Sequence, residues 1–304
     1  MSYGKVLRNS VAKRVLDLRS DTFTLPSAAM RARMAEAICG DDVYKEDRTI
    51  IELESRLAEL TGHEGALFVL TCTMANFLGL AATCNRGEEV LCGDMSHIGL
   101  YEQSNVSQFT GIGMRQDLRK LSSENGCNVH MDGARLVNAS IGTGITLKDY
   151  CSLVDTATMC FTKGMGCPFG AALVGNEDVI QKARRMRKAI GGQWRQGGIA
   201  AAAVLESLDD LSPIENDHEM AKVWASAIPA LSKKISVDAP QTNIVIFKCQ
   251  DETSALEIIE KMAHGELSVL LQQGANPEDV RAVFHRSADY SLISEAVEKL
   301  QSLI

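Results

Sequence analysis

Lys163 stands in the run CFTKGMGCPFG, directly after a stretch of apolar and small residues that reads as a strand. Lysine seldom enters a protein interior without a partner or a task. Here Gly164, Gly166 and Gly170 crowd it, at the kind of sheet edge where open α/β sheets bind ligands. An amine so placed can form a Schiff base with the carbonyl of a cofactor or substrate; an exposed turn lysine is the plain alternative. The run VHMDGAR adds an acid and a fork. Asp132 ends an apolar strand and faces a ligand crevice, where an acid could keep a pyridine ring protonated. Arg135 could hold a carboxylate or a phenolate through paired donors. An Asx turn with a local ion pair would explain the same two residues. The turn LTCTMAN joins a buried strand to a helix start. Its free N–H groups, with the Thr71 and Thr73 hydroxyls, form a seat for a phosphate, or no more than a threonine cap. His97, in DMSHIGLYE, could stack on a ring or move protons near neutrality, or serve as a half-buried structural histidine. The other histidines, His63, His130, His218, His264 and His285, lack partners at metal-ligand spacing, so no metal site is expected.

The elements that must position these residues follow one rhythm of strand, turn and helix. Ile50, Ile51, Leu53, Leu57 and Leu60 keep helical spacing and Gly62 supplies a stop. Strands are expected at ALFVL, EVLC (89–92), CNVHM, TATMCF (156–161) and AALVG (171–175), with helices from about Thr73, around Gln116–Glu124, over Glu177–Lys188 and over Ile199–Leu208. Such alternation implies an α/β fold with a mostly parallel sheet flanked by helices. The texture changes near Asp209–Pro213. Beyond it, strands at 243–247, 267–271 and 280–284 and helices at 254–263 and 291–302 suggest a smaller α+β unit. The expected domains are 15–212 and 213–304. The cluster KARRMRK at 182–188 reads as a solvated helix face, with a subunit contact or an anion-facing surface as alternatives.

Composition narrows the function classes. Of 304 residues, 45% are hydrophobic and 23% charged, which excludes collagen, coiled coil and disorder. A net charge of −8 argues against nucleic-acid binding. Between Glu64 and Arg86 the chain carries no charge, but Thr71, Thr73 and Asn76 break the run, so no membrane span is expected. The N-terminus has no apolar stretch of the secretory kind, so no secretory signal is expected, and the basic, acid-free Val11–Arg14 leaves organelle targeting as the alternative. Nine cysteines without a CxxC pair fit a reducing, cytoplasmic compartment.

Taken together, LDLRSDT, TCTMAN, DMSHIGLYE, HMDGARL, FTKGMGCPFG and GGQWRQGG resemble the threonine aldolases of the threonine aldolase and aromatic amino acid β-eliminating lyase family. The resemblance implies a fold-type-I large domain, a small C-terminal domain and pyridoxal 5'-phosphate as cofactor. It implies that Lys163 carries the cofactor, Asp132 meets its pyridine nitrogen, Thr73 its phosphate and His97 its ring face. It also implies that Arg135, Cys72 and Arg195 line the cofactor, Arg135 near its oxygen, and that Arg135, Ser20 and Arg281 hold the substrate carboxylate. Arg195 would reach a neighbouring subunit's site, so a homo-oligomer, dimer or tetramer, is expected, with a small amino acid as substrate. The activity implied is retro-aldol cleavage of L-threonine or L-allo-threonine to glycine and acetaldehyde. The alternatives are β-elimination on another amino acid, or a weakly active or inactive member that still binds the cofactor. Two departures stand out. Cys72 replaces a glycine in the phosphate turn, where a side chain restricts the backbone and crowds an anion. Between GIGMR and NVHMDGAR the chain lacks a stretch that includes a strand and a second histidine.

Overall fold

The computed structural model describes residues 14–115, 126–228 and 235–303. The helix expected around Gln116–Glu124 lies outside the described residues.

The chain opens with β1 (Arg14–Asp17), α1 (Ala28–Ala35), α2 (Arg48–Thr61), β2 (Gly65–Val69) and α3 (Cys72–Thr83). Then come β3 (Glu89–Leu91), α4 (His97–Leu100), α5 (Asn105–Thr110), β4 (Gly113–Arg115) and β5 (His130–Met131). The middle continues through α6 (Leu136–Thr143), α7 (Leu147–Cys151), β6 (Thr156–Cys160), β7 (Ala171–Gly175), α8 (Glu177–Ala189) and α9 (Gly198–Asp209). The C-terminal third holds α10 (Ser212–Ala227), β8 (Ser236–Val237), β9 (Ile244–Lys248), α11 (Glu252–Ala263), β10 (Leu267–Leu270), β11 (Gln272–Gln273), β12 (Asp279–Val283) and α12 (Ile293–Gln301).

The fold is α/β. Its central sheet has the order β2-β7-β6-β5. β5 and β6 are parallel, and β7 runs antiparallel between β6 and β2. Hence β2, β6 and β5 share one direction and deliver their carboxyl ends to one edge. β2, β6 and β7 are buried along their whole length, as expected for a sheet covered on both faces. On one face α2 lays Ile50, Leu53 and Leu57 into a cluster with Ala200, Ala201 and Val204 of α9. On the other, Phe77, Leu78 and Leu80 of α3 pack with Val179, Ile180 and Ala183 of α8. Asp47 caps α2 by accepting from Ile50 N–H, and Gly62 closes it at φ +70°, the left-handed conformation that a glycine adopts without steric cost.

The smaller sheet, β11-β12-β9-β8, is antiparallel throughout. β1 pairs in parallel with β10, and Leu16 and Leu18 are buried with Trp224, Phe247 and Phe284 of this C-terminal core. The N-terminal segment thus runs from that core to Ser20 and Asp21, at the junction of the two sheets.

β3 and β4 pair in parallel with each other and join no other strand among the described residues. Between β3 and β5 lies a cavity of 710 Å³, lined by Val90 and Leu91, by Leu80 and Thr83 of α3, and by Asn128 and His130. This is the place in the chain order where the resemblance leaves out a strand. The KARRMRK cluster divides. Lys182, Arg185 and Lys188 are exposed, but Arg187 is fully buried, donating to Asp42 and to the Phe68 carbonyl, and Arg184 pairs with Glu54. The helix therefore presents only part of its charge to solvent.

Candidate active site

Three turns meet at the carboxyl edge of the central sheet: Thr71–Thr73 after β2, Asp132 after β5 and Lys163 after β6. Their sequences are fitted to close approach. A Cβ at Gly133 would lie 2.1 Å from the Thr158 carbonyl oxygen, so only glycine lets the HMDGAR turn pass β6. Gly166 has φ +73° and backs onto Arg286, where any side chain would be strained. Thr71 caps α3 with extended backbone, its hydroxyl accepting from Met74 N–H. Cys72 lies inside the helix and is not among the positive-φ residues, so the side chain that replaces glycine here imposes no backbone strain. Its thiol turns inward, 3.6 Å from Thr158 Oγ1 and 3.9 Å from Asp132 Oδ1. The Thr73 hydroxyl has no partner among the described residues.

Asp132 is held from two sides. Ala134 N–H donates to Oδ1 at 3.1 Å and Asn76 Nδ2 to Oδ2 at 3.0 Å. Asn76, fully buried in α3, also donates to Glu102 Oε1 at 2.9 Å, and Glu102 Oε1 lies 3.0 Å from His97 Nδ1. The ligand atoms of His97, Glu102 and Asp132 all fall within 4.8 Å of one another. Burial pushes the Glu102 carboxyl up, against the hydrogen bonds from Asn76 and His97. His97 stacks on Tyr101 with ring centroids 5.4 Å apart. His130 Nε2 lies 3.2 Å from Asn76 Oδ1, and burial drives this histidine down to about 4. It is therefore neutral, with Nε2–H donating to the amide oxygen.

The other half of the site centres on Asp21. Its carboxylate is fully buried and accepts the Arg135 fork, at 2.8 Å from Nε and 2.6 Å from Nη2. Burial alone would raise Asp21, but Arg135 outweighs it and holds the carboxyl below its usual range. Lys163 and Arg281 both lie in the electrostatic reach of Asp21. Neither the Lys163 amine nor the Arg281 guanidinium makes a hydrogen bond or ion pair among the described residues. Burial lowers Arg281, and repulsion from Arg135 adds to it. Ser20 caps the turn before Asp21, its Oγ accepting from Thr22 N–H. Arg195 is exposed and donates to Asp41 Oδ2 at 2.9 Å; it shares none of these contacts. Sequence reading passed over Asp21, Asn76 and Glu102. A lone amide inside the apolar helix MANFLGLAA was the signal available for Asn76.

An amine, a fixed carboxylate, a hydroxyl-lined helix start and a half-buried guanidinium thus stand together on an α/β scaffold. The chain matches the family described as beta-eliminating lyase over residues 17–118 and 115–252 and belongs to it. The two matched segments meet at 115–118, between β4 and β5. Among similar proteins, an uncharacterized protein of Caenorhabditis elegans is 37% identical over 81% of this chain and 73% of its own. The probable low-specificity L-threonine aldolase 2 of Arabidopsis thaliana is 33% identical over 76% of this chain and 81% of its own. The solved threonine aldolase of Leishmania major superposes with a TM-score of 0.77 at 17% identity, covering 95% of this chain and 99% of its own. No helix among the described residues is long and apolar enough to cross a membrane.

Proposed function

We propose that this chain is a pyridoxal 5'-phosphate-dependent carbon–carbon lyase that cleaves L-threonine or L-allo-threonine to glycine and acetaldehyde. The observation that carries the reading is the pair of cations, Lys163 and Arg281, that make no hydrogen bond or ion pair among the described residues and stand around the closed Asp21–Arg135 ion pair. Such cations call for a ligand that brings its own anions. The donor set fits the cofactor. Lys163 would hold its carbonyl carbon, Asp132 its pyridine nitrogen, and the Thr73 hydroxyl with the start of α3 its phosphate. Bound there, the cofactor supplies an electron sink for the bond broken at the α-carbon of an amino acid.

The chain's own residues do the rest. Arg281, with Ser20 and the remaining Nη1 of Arg135, holds the substrate carboxylate and so fixes which bond faces the sink. Asn76 keeps the Asp132 carboxylate in place. His97, oriented through Nδ1 by Glu102, presents its other nitrogen for proton transfer at the hydroxyl of the substrate. The relatives named as threonine aldolases support this substrate class. On the same reading the protein is a cytoplasmic homo-oligomer, a dimer or tetramer, with Arg195 facing a neighbour. A weakly active member is the second reading, favoured by the separation of β3–β4 from the central sheet.

The test is acetaldehyde release from both threonine diastereomers by the cofactor-loaded protein, with Arg281→Lys alongside. Lysine cannot reproduce the planar fork. The variant is expected to bind glycine and threonine at least ten-fold more weakly; equal binding contradicts the assignment of the clamp.

A further inference from the structure

The site contains two thiols that the proposed chemistry does not use. β6 carries Thr158 and Cys160 two residues apart, so both point to one face of the strand. That face meets the start of α3, where Cys72 Sγ lies 3.6 Å from Thr158 Oγ1. Thr158 and Cys160 share this face, so the Cys72 thiol stands on the side of β6 that Cys160 also presents. Cys160 Sγ is also 3.4 Å from Thr162 Oγ1 and feels the charge of Lys163. Cys160 is buried and Cys72 half-buried; both are free thiols.

We propose that Cys72 and Cys160 form a peroxide-oxidisable pair that closes to a disulfide across the floor of the site. The two residues have complementary tasks. The Cys72 thiol and Lys163 favour the thiolate of Cys160 against burial, while the Cys72 thiol is pushed up and stays protonated. A thiolate is the nucleophile toward peroxide. The Cys160 thiolate attacks one peroxide oxygen and the O–O bond breaks. A sulfenic acid forms and hydroxide leaves, which takes a proton to become water. The Cys72 sulfur then attacks the sulfenic sulfur, its proton leaves with the departing hydroxyl as a second water, and the S–S bond closes. Two electrons pass from the two sulfurs to hydrogen peroxide. The bridge ties the start of α3 to the end of β6, the two elements that flank the cofactor seat. This last point rests on the reading of the site under Proposed function: a cofactor spanning Lys163, Asp132 and Thr73 covers both sulfurs and slows their oxidation.

The experiment is peptide mapping without reductant after brief hydrogen peroxide treatment. It compares the full chain free of cofactor, the chain loaded with pyridoxal 5'-phosphate, and the variants Cys72→Ser and Cys160→Ser. The expected result is a Cys72–Cys160 cross-linked peptide in the cofactor-free protein. Dithiothreitol should reverse it, both variants should lack it, and loading should slow it at least ten-fold. In Cys72→Ser, Cys160 should instead proceed to sulfinic acid, a readout that does not depend on the cross-link. Peroxide that oxidises the exposed Cys39 and Cys127 but yields no Cys72–Cys160 peptide overturns the proposal. A cross-link that forms as fast in the loaded protein supports the pair and counts against the cofactor position instead.

Discussion

Asn76 holds Asp132 in place through a single hydrogen bond, Nδ2 to Oδ2 at 3.0 Å, from a fully buried position one helical turn into α3. The same amide reaches Glu102 and, through it, His97. The acid assigned to the cofactor nitrogen and the histidine assigned to its ring face thus share one support. Removing it leaves two carboxylates close together with nothing between them.

Asn76→Ala should therefore damage turnover more than it damages folding. A hydrogen bond to a charged group contributes ~1.5–3 kcal/mol, or roughly ten- to hundred-fold in rate. The cofactor should still bind, but its absorbance band should titrate at a different pH from wild type, because Asp132 is no longer fixed against the ring. A variant with wild-type turnover and an unmoved titration would remove Asn76 from the account.

Asp217 predicts a pH dependence of stability. It is fully buried, accepts from the Tyr290 hydroxyl at 2.6 Å, and its second oxygen has no hydrogen-bond partner among the described residues. Burial raises its carboxyl to about 7, only partly opposed by Tyr290 and Arg286. Between its ordinary range and about 7 the folded chain keeps a proton that the unfolded chain has released. Stability from this group therefore falls as pH rises through that window and levels off above it. The whole effect is on the order of 4 kcal/mol. Asp217→Asn keeps an acceptor for Tyr290 and cannot ionise. Thermal melts should show the variant gaining on wild type from about pH 4 to about pH 7; a constant difference across that range would contradict the assignment.

The break between β4 and β5 should lower stability. β3 and β5 each have one partner strand among the described residues and face a 710 Å³ cavity on the other side. Buried backbone groups left unpaired cost ~1–3 kcal/mol each, against a total stability of ~5–15 kcal/mol for a domain. Replacing residues 116–125 by the corresponding stretch of the Arabidopsis thaliana relative should raise the melting temperature by at least ~5 °C and increase threonine cleavage. An unchanged melting temperature and rate would show that the shortened connection is harmless.

Much of this architecture is legible in the sequence where the signals are local. AALVG is a strand to the residue, since five apolar or small residues are bounded by Gly170 and by the cap Asn176. α8 begins at Glu177 as its acidic first turn predicts. β5 is shorter than CNVHM suggests: only His130 and Met131 find partners, opposite Thr156 and Ala157 of β6. What stays hidden is non-local. Asn76 meets Glu102 across 26 residues and Asp132 across 56, and no spacing rule links them. Arg184 and Arg187 read as solvent-facing because their partners Glu54, Asp42 and Phe68 lie more than a hundred residues away. Lys163, Asp132 and Cys72 each follow shortly after a strand, and strands that run the same way bring such segments to one edge, so local runs suffice to place them together there.

The most direct test of the central claim is borohydride reduction of the protein incubated with pyridoxal 5'-phosphate, followed by peptide mapping. The account predicts one stoichiometric phosphopyridoxyl adduct, on Lys163, and its loss together with the absorbance band in Lys163→Ala. An adduct on another lysine, or a band that survives in Lys163→Ala, would contradict it.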